Sequence, residues 1–338
     1  MFRRFHTSAK LLLALALCVW LLSCSKTNPT PKPPELFPVR RDGKWGFMDK
    51  AGKIVIPPQY EKRTEFHDGL AAVEFAPKRW GYIDESGKIA INPQFDFAYK
   101  FQNGYGSVTQ GNKWVWIDKS GKILDLNVNS SFSWSEDLAI FTMGSKYGYI
   151  NTSGKIVINP QFKWSTNFSE GLAAVQLDNE LYGYIDKVGA WVIQPQFGYG
   201  FNFENGIAAV RTKAGLYGYI DRSGQFLIQP KFSDARPFSE GLAYARLPNS
   251  EGGGYIDKSG NFVIQPSSQF QQAYDFSEGL APVQTQGFGY IDKTGKIVIP
   301  VQFSGAVAFS GGVAEVMLGD DLHGYIDKQG HYVWNPSK

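Results

Sequence analysis

Short runs of apolar residues alternate with clusters of Gly, Asp and Pro along almost the whole chain. One stretch reads Leu172–Val175, a variable turn, Tyr182–Asp186 and then Val188–Ile193. Runs of this length that are rich in Val, Ile and Tyr predict strands, and the short polar connections predict antiparallel pairing. We therefore expect an all-β protein built from three-stranded antiparallel meanders.

The middle strand of this meander recurs at a nearly constant interval. Its central residue is Gly in eight copies and Val in one, and consecutive copies lie 33 to 36 residues apart. A period in this range indicates a tandem repeat, in which each unit buries its apolar faces against its neighbours. We expect about nine units of 35 residues, with central positions at Gly46, Gly81, Val115, Gly148, Gly183, Gly218, Gly254, Gly289 and Gly324.

The turn between the second and third predicted strands has the most constant sequence. In Asp221–Gly224, for example, Asp begins a type I turn and Gly supplies the positive φ at its end. Calcium would need several oxygen ligands in one site, whereas each turn offers one carboxylate. We interpret eight residues as turn formers and predict no metal site at Asp49, Asp84, Asp118, Asp186, Asp221, Asp257, Asp292 and Asp327.

A Pro follows the third predicted strand in most units and should end the pairing there, because it lacks a backbone donor. The chain is then expected to leave the sheet and to carry two aromatic residues six positions apart. A spacing this constant indicates rings that pack at fixed points between successive units. The pairs are Tyr60/Phe66, Phe95/Phe101, Phe162/Phe168, Phe197/Phe203, Phe232/Phe238, Phe270/Phe276 and Phe303/Phe309.

The third unit departs from this pattern. Val115 replaces the central Gly, and Leu126–Val128 replaces the Pro-Gln-Phe of other units. Nothing catalytic takes the place of the lost residues, so we interpret the unit as an eroded copy that packs less regularly.

The ends of the repeat region bear on whether the array is open or closed. Leu36–Val39 aligns with Leu280–Val283 as a first strand, and the chain finishes after a whole last strand at Trp334. Nine units therefore run without being split between the termini, and no strand visibly completes a blade from the other end. We favour an open, solenoid-like array, with a closed β-propeller as the alternative.

The first segment has the character of an export signal. Three basic residues accompany the apolar run Leu11–Leu22, whose twelve residues are too short to span a bilayer. The run ends in Leu21–Cys24, which resembles the lipobox of bacterial lipoproteins. This resemblance implies cleavage before Cys24 and attachment of lipid to that residue.

The chain is accordingly divided into a signal peptide at residues 1–23, a lipidated Cys with a Pro-rich tether at 24–35, and the repeat domain at 36–338. The resemblance implies a bacterial cell envelope location, and Ser25 after the Cys favours the outer membrane over other sites. The membrane contact is then made by the lipid anchor alone.

Cysteine usage and charge exclude several classes. Only Cys18 and Cys24 are present, so the repeat domain has no thiol for disulfides, catalysis or zinc. The formal net charge is +3, and the signal peptide carries three of the basic residues. The remaining chain is close to neutral, which does not favour nucleic acid as a partner.

The repeats resemble the bacterial WG repeat, named for the Trp-Gly pair seen here at Trp45–Gly46 and Trp80–Gly81. Ser169–Ala173 and the recurring Pro-Gln-Phe also match, and the resemblance covers nearly all of residues 36–338. It implies a β-repeat fold and says little of function. A weaker similarity links Gly43–Asp49 to the aromatic hairpins of cell-wall-binding repeats.

No catalytic motif stands out. The histidines of the repeat domain, His67, His323 and His331, lie in distant units or at the extreme end of the chain. We therefore expect a protein without enzymatic activity and without cofactor, which binds an envelope protein through its repeat surface. Glycan or peptidoglycan binding by exposed rings is the second hypothesis, and a hydrolase with an unrecognised carboxylate site is the third.

The sequence alone assigns few functional residues. Apart from lipidation at Cys24, we expect specificity to lie in the variable turn between the first and second predicted strands, because loops free of structural constraint tolerate variation. The residues chosen there are Lys78, Asn112, Asn179, Lys213 and Asn249.

Overall fold

The computed structural model describes residues 35–111, 113–124, 134–270, 272–319 and 322–337. These residues form 34 strands in nine antiparallel sheets, so the all-β prediction and the count of nine units are confirmed. No helix among them is long and apolar enough to cross a membrane. The proposed signal peptide, Cys24 and nearly all of the tether lie outside the described residues.

Each sheet is one blade, and the blades are numbered along the chain. Blade 1 contains β1 (Phe37–Arg41), β2 (Lys44–Met48) and β3 (Ile54–Tyr60). Blade 2 contains β4 (Leu70–Ala76), β5 (Arg79–Asp84) and β6 (Ile89–Phe95). Blade 3 contains β7 (Phe97–Gln102), β8 (Tyr105–Gln110), β9 (Lys113–Asp118) and β10 (Ile123–Leu124). Blade 4 contains β11 (Trp134–Ser135), β12 (Leu138–Met143), β13 (Lys146–Asn151) and β14 (Ile156–Phe162).

The remaining five blades have four strands each. Blade 5 contains β15 (Trp164–Ser165), β16 (Leu172–Gln176), β17 (Tyr182–Asp186) and β18 (Trp191–Phe197), and blade 6 contains β19 (Tyr199–Gly200), β20 (Ile207–Arg211), β21 (Tyr217–Asp221) and β22 (Phe226–Phe232). Blade 7 contains β23 (Asp234–Ala235), β24 (Ala243–Arg246), β25 (Gly253–Ile256) and β26 (Phe262–Ser267). Blade 8 contains β27 (Gln272–Ala273), β28 (Leu280–Gln284), β29 (Phe288–Asp292) and β30 (Ile297–Phe303), and blade 9 contains β31 (Gly305–Ala306), β32 (Val313–Leu318), β33 (Leu322–Asp327) and β34 (Tyr332–Ser337).

The expected three-stranded meander was wrong, because the segment after the Pro forms a short additional strand of the next sheet. In blade 5, Trp164 pairs with Gln176 and Ser165 pairs with Val175. The three predicted strands are therefore the second, third and fourth strands of a blade. In blade 2 a single bridge between Arg63 and Val73 occupies the place of the first strand.

The turn that follows this short strand explains the recurring Ser-Glu-Gly-Leu. Glu170 and Gly171 have φ values of 54° and 77°. Two successive left-handed residues are what a type I′ hairpin turn requires, and this turn matches the twist of the strands that it joins. The motif therefore specifies a hairpin between the first and second strands.

The Pro of each unit also behaves differently from expectation. The strand β18 continues through Pro195, with Tyr184 opposite Ile193 and Tyr182 opposite Phe197. One residue, Gly183, thus faces the three residues 194–196, and the Pro lies in the resulting bulge, where no ladder donor is needed. Gly183 fits beneath this bulge, since a Cβ there would lie 2.6 Å from the carbonyl oxygen of Ile193.

The same geometry accounts for the third unit. Val115 has the Cβ that such a bulge cannot accommodate, and the fourth strand of blade 3 comprises only Ile123–Leu124 among the described residues. Both strand residues pair with the third strand, opposite Ile117 and Trp116. Residues 126–128, which replace the Pro-Gln-Phe segment, lie outside the described residues. The missing Gly and the two-residue fourth strand of the described part thus occur in the same blade.

The preference for an open array was wrong as well, because blade 9 packs against blade 1 and closes a nine-bladed β-propeller. The rings of Phe37 and Tyr325 lie 5.8 Å apart, in one buried cluster with Val39 and Val313. The hydroxyl of Ser310 donates to the Glu35 carboxylate at 2.7 Å. Blade 9 is complete within its own residues, so closure depends on side-chain packing and no strand is exchanged.

The predicted packing of the aromatic pairs between units is confirmed. The second ring of each pair meets the third-strand aromatic of the preceding blade, and Phe203 lies 4.9 Å from Tyr184. The tyrosine hydroxyl then donates to a carbonyl oxygen just after the first strand of the next blade, that of Phe201 at 2.8 Å. The same ring contact occurs at Phe47/Phe66, Tyr82/Phe101, Tyr149/Phe168, Tyr219/Phe238, Tyr255/Phe276 and Tyr290/Phe309.

Candidate binding surface

The antiparallel order of the strands gives the propeller two different faces. Turns between first and second strands, and between third and fourth strands, lie at one end of every blade; we call this the turn face. The links between second and third strands, and the crossings to the next blade, lie at the other end, the loop face. The sequence-predicted specificity turns all belong to the loop face.

These predicted residues do not converge on one site. Lys78, Asn179, Lys213 and Asn249 lie in blades 2, 5, 6 and 7, and Asn112 is outside the described residues. Two of them have local structural roles. The backbone of Lys78 has a φ of 58° and donates to the buried Glu74 carboxylate at 3.0 Å, and Asn179 Oδ1 accepts the N–H of Leu181 at 3.1 Å.

A row of four aromatic side chains runs along the loop face from blade 2 to blade 3. Trp80 contacts Phe97 at 4.7 Å between ring centroids, Phe97 contacts Tyr99 at 4.8 Å, and Tyr99 contacts Trp114 at 5.2 Å. Trp80 is buried, whereas the exposed fractions of the other three side chains are 37%, 45% and 40%. We call these four residues the aromatic row.

Sequence reasoning missed half of the aromatic row. Phe97 and Tyr99 lie on β7, in the segment that was expected to lie outside any sheet. The alternation Phe97-Ala98-Tyr99 was the available signal, because it places both rings on one side of a strand and buries Ala98 on the other. Trp114 was recognised as a repeat position, but not as an exposed one.

Elsewhere on the propeller, some rings are covered by arginine. Arg63 lies 4.3 Å from the ring centroid of Trp45, and Arg236 lies 5.1 Å from that of Tyr244. Such cation–π contacts stabilise the ring in its place and occupy its face. Among the described residues, no Lys or Arg makes this contact with the three exposed rings of the row.

Basic residues flank the aromatic row. Arg79 directly precedes Trp80, Lys113 directly precedes Trp114, and Lys78 lies in the same turn as Arg79. All three basic side chains are exposed, and none has a carboxylate within ion-pair distance in the described part of the chain. The nearby Asp96 carboxylate accepts the N–H of Gly111 at 2.7 Å.

On the turn face, acidic residues join five of the blades to the blade that follows. The Glu240 carboxylate of blade 7 accepts the N–H of Gly279 in blade 8 at 2.9 Å, and Lys293 Nζ lies 3.2 Å away. Burial raises the pKa of Glu240, but these bonds together hold that pKa below its ordinary value. Equivalent bonds join Asp68 to Gly104, Glu136 to Gly171, Glu170 to Gly206 and Glu278 to Gly312.

The Asp carboxylates of the hairpin turns likewise accept hydrogen bonds from residues of the same turn. Asp221 Oδ1 accepts the N–H and the hydroxyl of Ser223 and the N–H of Gln225, at 2.6 to 3.0 Å. The hydroxyl bond is the main reason that the pKa of Asp221 is lowered. Within the described residues, no three His, Cys, Asp or Glu side chains are grouped so as to hold a metal.

Two carboxylates depart from this pattern. Burial, with the charges of Asp275 and Glu170 in addition, raises the pKa of Glu204, and burial raises the pKa of Asp275 against the effect of Arg236. Both side chains are reached by solvent but lie in crowded surroundings. Their pKa values move in the same direction, whereas an acid–base pair needs one carboxyl protonated and the other ionised.

The repeats match one family model, which is described as WG containing repeat. Its seven matches span more than half of the chain, at residues 45–75, 80–114, 147–180, 182–215, 217–247, 254–287 and 288–320. The eroded part of blade 3 lies between the second and third matches. No curated protein matches the sequence.

Solved structures share the architecture at low identity. A structure described as the eukaryotic initiation factor is similar with a TM-score of 0.64 and 12% identity, over 90% of this chain and 95% of that one. The computationally designed Ika8 protein gives a TM-score of 0.46 and 11% identity, over 81% and 95%. BamB from Moraxella catarrhalis gives 0.46 and 8%, over 76% and 93%. At such identities the first likeness concerns the fold alone, and the other two carry no further weight.

Proposed function

Because the chain belongs to the WG containing repeat family and its repeats close into a propeller, we propose that it is a non-catalytic interaction protein. It binds a protein partner on the loop face of blades 2 and 3. The observation that carries this proposal is the aromatic row, with three contiguous exposed rings at Phe97, Tyr99 and Trp114.

Exposed aromatic residues in contact with one another are costly to keep in water and are typical of interaction sites. Tyr and Trp are enriched among the residues that dominate binding energy, because they bury a large rigid surface. The propeller core does not need these three rings, since the packing between blades 2 and 3 is made by the buried Tyr82 and Phe101 beneath them.

The cellular setting is part of the proposal. The segment Leu21–Cys24 supports a lipid anchor on Cys24, which would hold the propeller at the bacterial envelope, at the outer membrane by the nature of the following Ser25. We expect the full-length chain to partition into the detergent phase of Triton X-114. The Cys24→Ser variant should move to the aqueous phase, and unchanged partition would contradict the anchor.

Two other functions have less support. Glycan binding by the second predicted strands needs several exposed rings, but Trp80, Tyr184, Tyr219 and Tyr290 are buried between blades, and Trp114 is exposed. A hydrolase needs two carboxyls in opposite protonation states, and the crowded carboxylates of the turn face do not provide them. The non-catalytic hypothesis therefore agrees better with the described side chains.

The test compares the wild-type chain with the triple variant Phe97→Ser, Tyr99→Ser, Trp114→Ser by in-cell crosslinking and quantitative mass spectrometry. A control variant removes three equally exposed apolar residues from fourth strands, through Val192→Ser, Leu227→Ser and Val263→Ser. We expect the first variant, and not the control, to lose its main crosslinked partner while retaining its melting temperature. Equal crosslinking by both variants would refute a binding site at the aromatic row.

A further inference from the structure

The aromatic row and its flanking charges also indicate the chemistry of the partner. We propose that the row binds an acidic, extended segment of a protein, in which carboxylate side chains accompany aromatic or aliphatic ones. This inference rests on the proposed function and adds the class of ligand to it. It follows from the length of the row, the uncovered rings and the basic residues that have no carboxylate partner in the described part of the chain.

The length of the row fits an extended chain. Successive centroids are separated by 4.7, 4.8 and 5.2 Å, so the four rings span no more than about 15 Å. An extended chain covers this distance in about four to five residues, with alternate side chains directed to the same side. A short segment can therefore meet all three exposed rings of the row.

The uncovered ring faces would by themselves accept either apolar groups or a cation. Arginine takes this position at Trp45 and Tyr244, which shows that the same protein uses the contact where its own cations are near. At the aromatic row, however, Lys78, Arg79 and Lys113 lie next to the first and last rings along the chain, and their positive charge disfavours a cationic ligand there. Apolar side chains are thus the better occupants of the rings.

The flanking basic residues supply the second half of the complementarity. Each is exposed and has no carboxylate partner among the described residues, while Lys44 in blade 1 and Lys62 in blade 2 are paired with Glu61 and Glu74. An exposed ion pair contributes little on its own, but several charges of one sign next to an apolar row favour a partner of opposite sign. The geometry therefore favours carboxylates at both ends of the bound segment.

The test is a selection of displayed random twelve-residue peptides on the immobilised full-length chain, with depletion on the Phe97→Ser, Tyr99→Ser, Trp114→Ser variant. We expect the recovered peptides to be acidic and to carry aromatic or aliphatic residues. The dissociation constant of the most enriched peptide is then measured by fluorescence polarisation, where the ring variant should lose about 100-fold in affinity.

Charge is tested separately with the variant Lys78→Glu, Arg79→Glu, Lys113→Glu. We expect a loss of about tenfold in affinity and a weaker interaction at higher NaCl concentration. The control variant Lys53→Glu, Lys88→Glu, Lys155→Glu makes the same change of net charge on exposed lysines of the turn face and should bind as the wild type does.

The outcomes separate the two proposals. Neutral or basic peptides that depend on the rings, or affinities equal in both charge variants, would overturn the acidic segment and leave the binding surface in place. Recovery of no peptide that needs the rings would overturn both the extended segment and the row as a peptide site. Ring-dependent binding of purified peptidoglycan strands, without any peptide, would replace the protein partner with a glycan.

Discussion

Blades 2 and 3 and blades 5 and 6 carry the same row of four aromatic positions, but they use it differently. In the second pair of blades the row is Tyr182, Tyr199, Phe201 and Tyr217, with centroid separations of 5.2, 5.0 and 6.5 Å. Tyr182 is buried and the other three are partly buried against the cores of their blades. Arg211 lies 5.9 Å from the ring centroid of Tyr217 and covers it.

In blades 2 and 3 the rings at the last three positions are exposed, uncovered and flanked by basic residues. In blades 5 and 6 the residues directly before the first and last rings are Leu181 and Leu216. The same repeat position thus serves packing in one place and leaves a surface available in the other. A repeat fold can therefore acquire a binding site by small changes around positions that all blades share.

The largest effect tests the layer beneath both rows. Phe101 and Phe203 are fully buried and contact Tyr82 and Tyr184 at 4.8 and 4.9 Å. We expect Phe101→Ala and Phe203→Ala each to lower the free energy of unfolding by about 3 to 5 kcal/mol in urea denaturation. Equal losses would confine the difference between the two regions to the surface row. A much smaller loss for Phe101 would mean that the whole of blade 3 packs loosely.

The second prediction compares equivalent ring positions. Phe201 packs against the core of blade 7, whereas Tyr99 is 45% exposed. We expect Phe201→Ser to lower the free energy of unfolding by about 2 kcal/mol and Tyr99→Ser by less than about 1 kcal/mol. Urea denaturation of both variants checks this. If Tyr99→Ser costs as much as Phe201→Ser, the exposed row is a structural element after all.

The repeat could be predicted from the sequence because its signals are local. The period, the positive φ of the Gly in the hairpin turns and the aromatic pairs all depend on residues close in the chain, and each is confirmed. The first strand was missed because only two residues, such as Trp164 and Ser165, carry it in most blades. Closure was missed because it depends on contacts such as Phe37 with Tyr325, between opposite ends of the chain.

The binding surface is harder to predict for a related reason. Trp114 and Tyr217 occupy the same repeat position, and nothing in their own identity tells which is covered. The difference arises across the strand pair, where Arg211 lies opposite Tyr217 and Thr109 lies opposite Trp114. Whether the ring is covered can therefore be predicted only when the pairing register between the second and third strands is known.

That register supplies the third prediction. We expect Thr109→Arg to place a guanidinium over Trp114, as Arg211 does over Tyr217, and so to weaken peptide binding by about three- to tenfold. A cation–π contact of about 0.5 to 1 kcal/mol should leave the melting temperature unchanged or slightly raised. The reciprocal variant Arg211→Thr should uncover the ring of Tyr217 without creating a peptide site at blades 5 and 6, because basic flanking residues are missing there. Full peptide binding by Thr109→Arg would mean that the ring faces are not what the partner contacts.

The smallest effect concerns the hairpin turns of the two regions. In blade 2 the Ser86 hydroxyl donates to Asp84 at 2.6 Å and is the main reason that the pKa of Asp84 is lowered, whereas Val188 occupies this position in blade 5. A lowered pKa stabilises the fold above the ordinary pKa of Asp, and this contribution is lost as the pH falls through the lowered value. We expect Ser86→Ala to lower the free energy of unfolding by a few tenths of a kcal/mol at neutral pH, since the turn is exposed, and to have no effect once Asp84 is protonated. Val188→Ser in blade 5 should raise the free energy of unfolding by as much at neutral pH. Melting temperatures measured from pH 2 to pH 7 check both, and a Ser86→Ala effect that persists at the acid end would show that the hydroxyl acts through packing and not through the carboxylate.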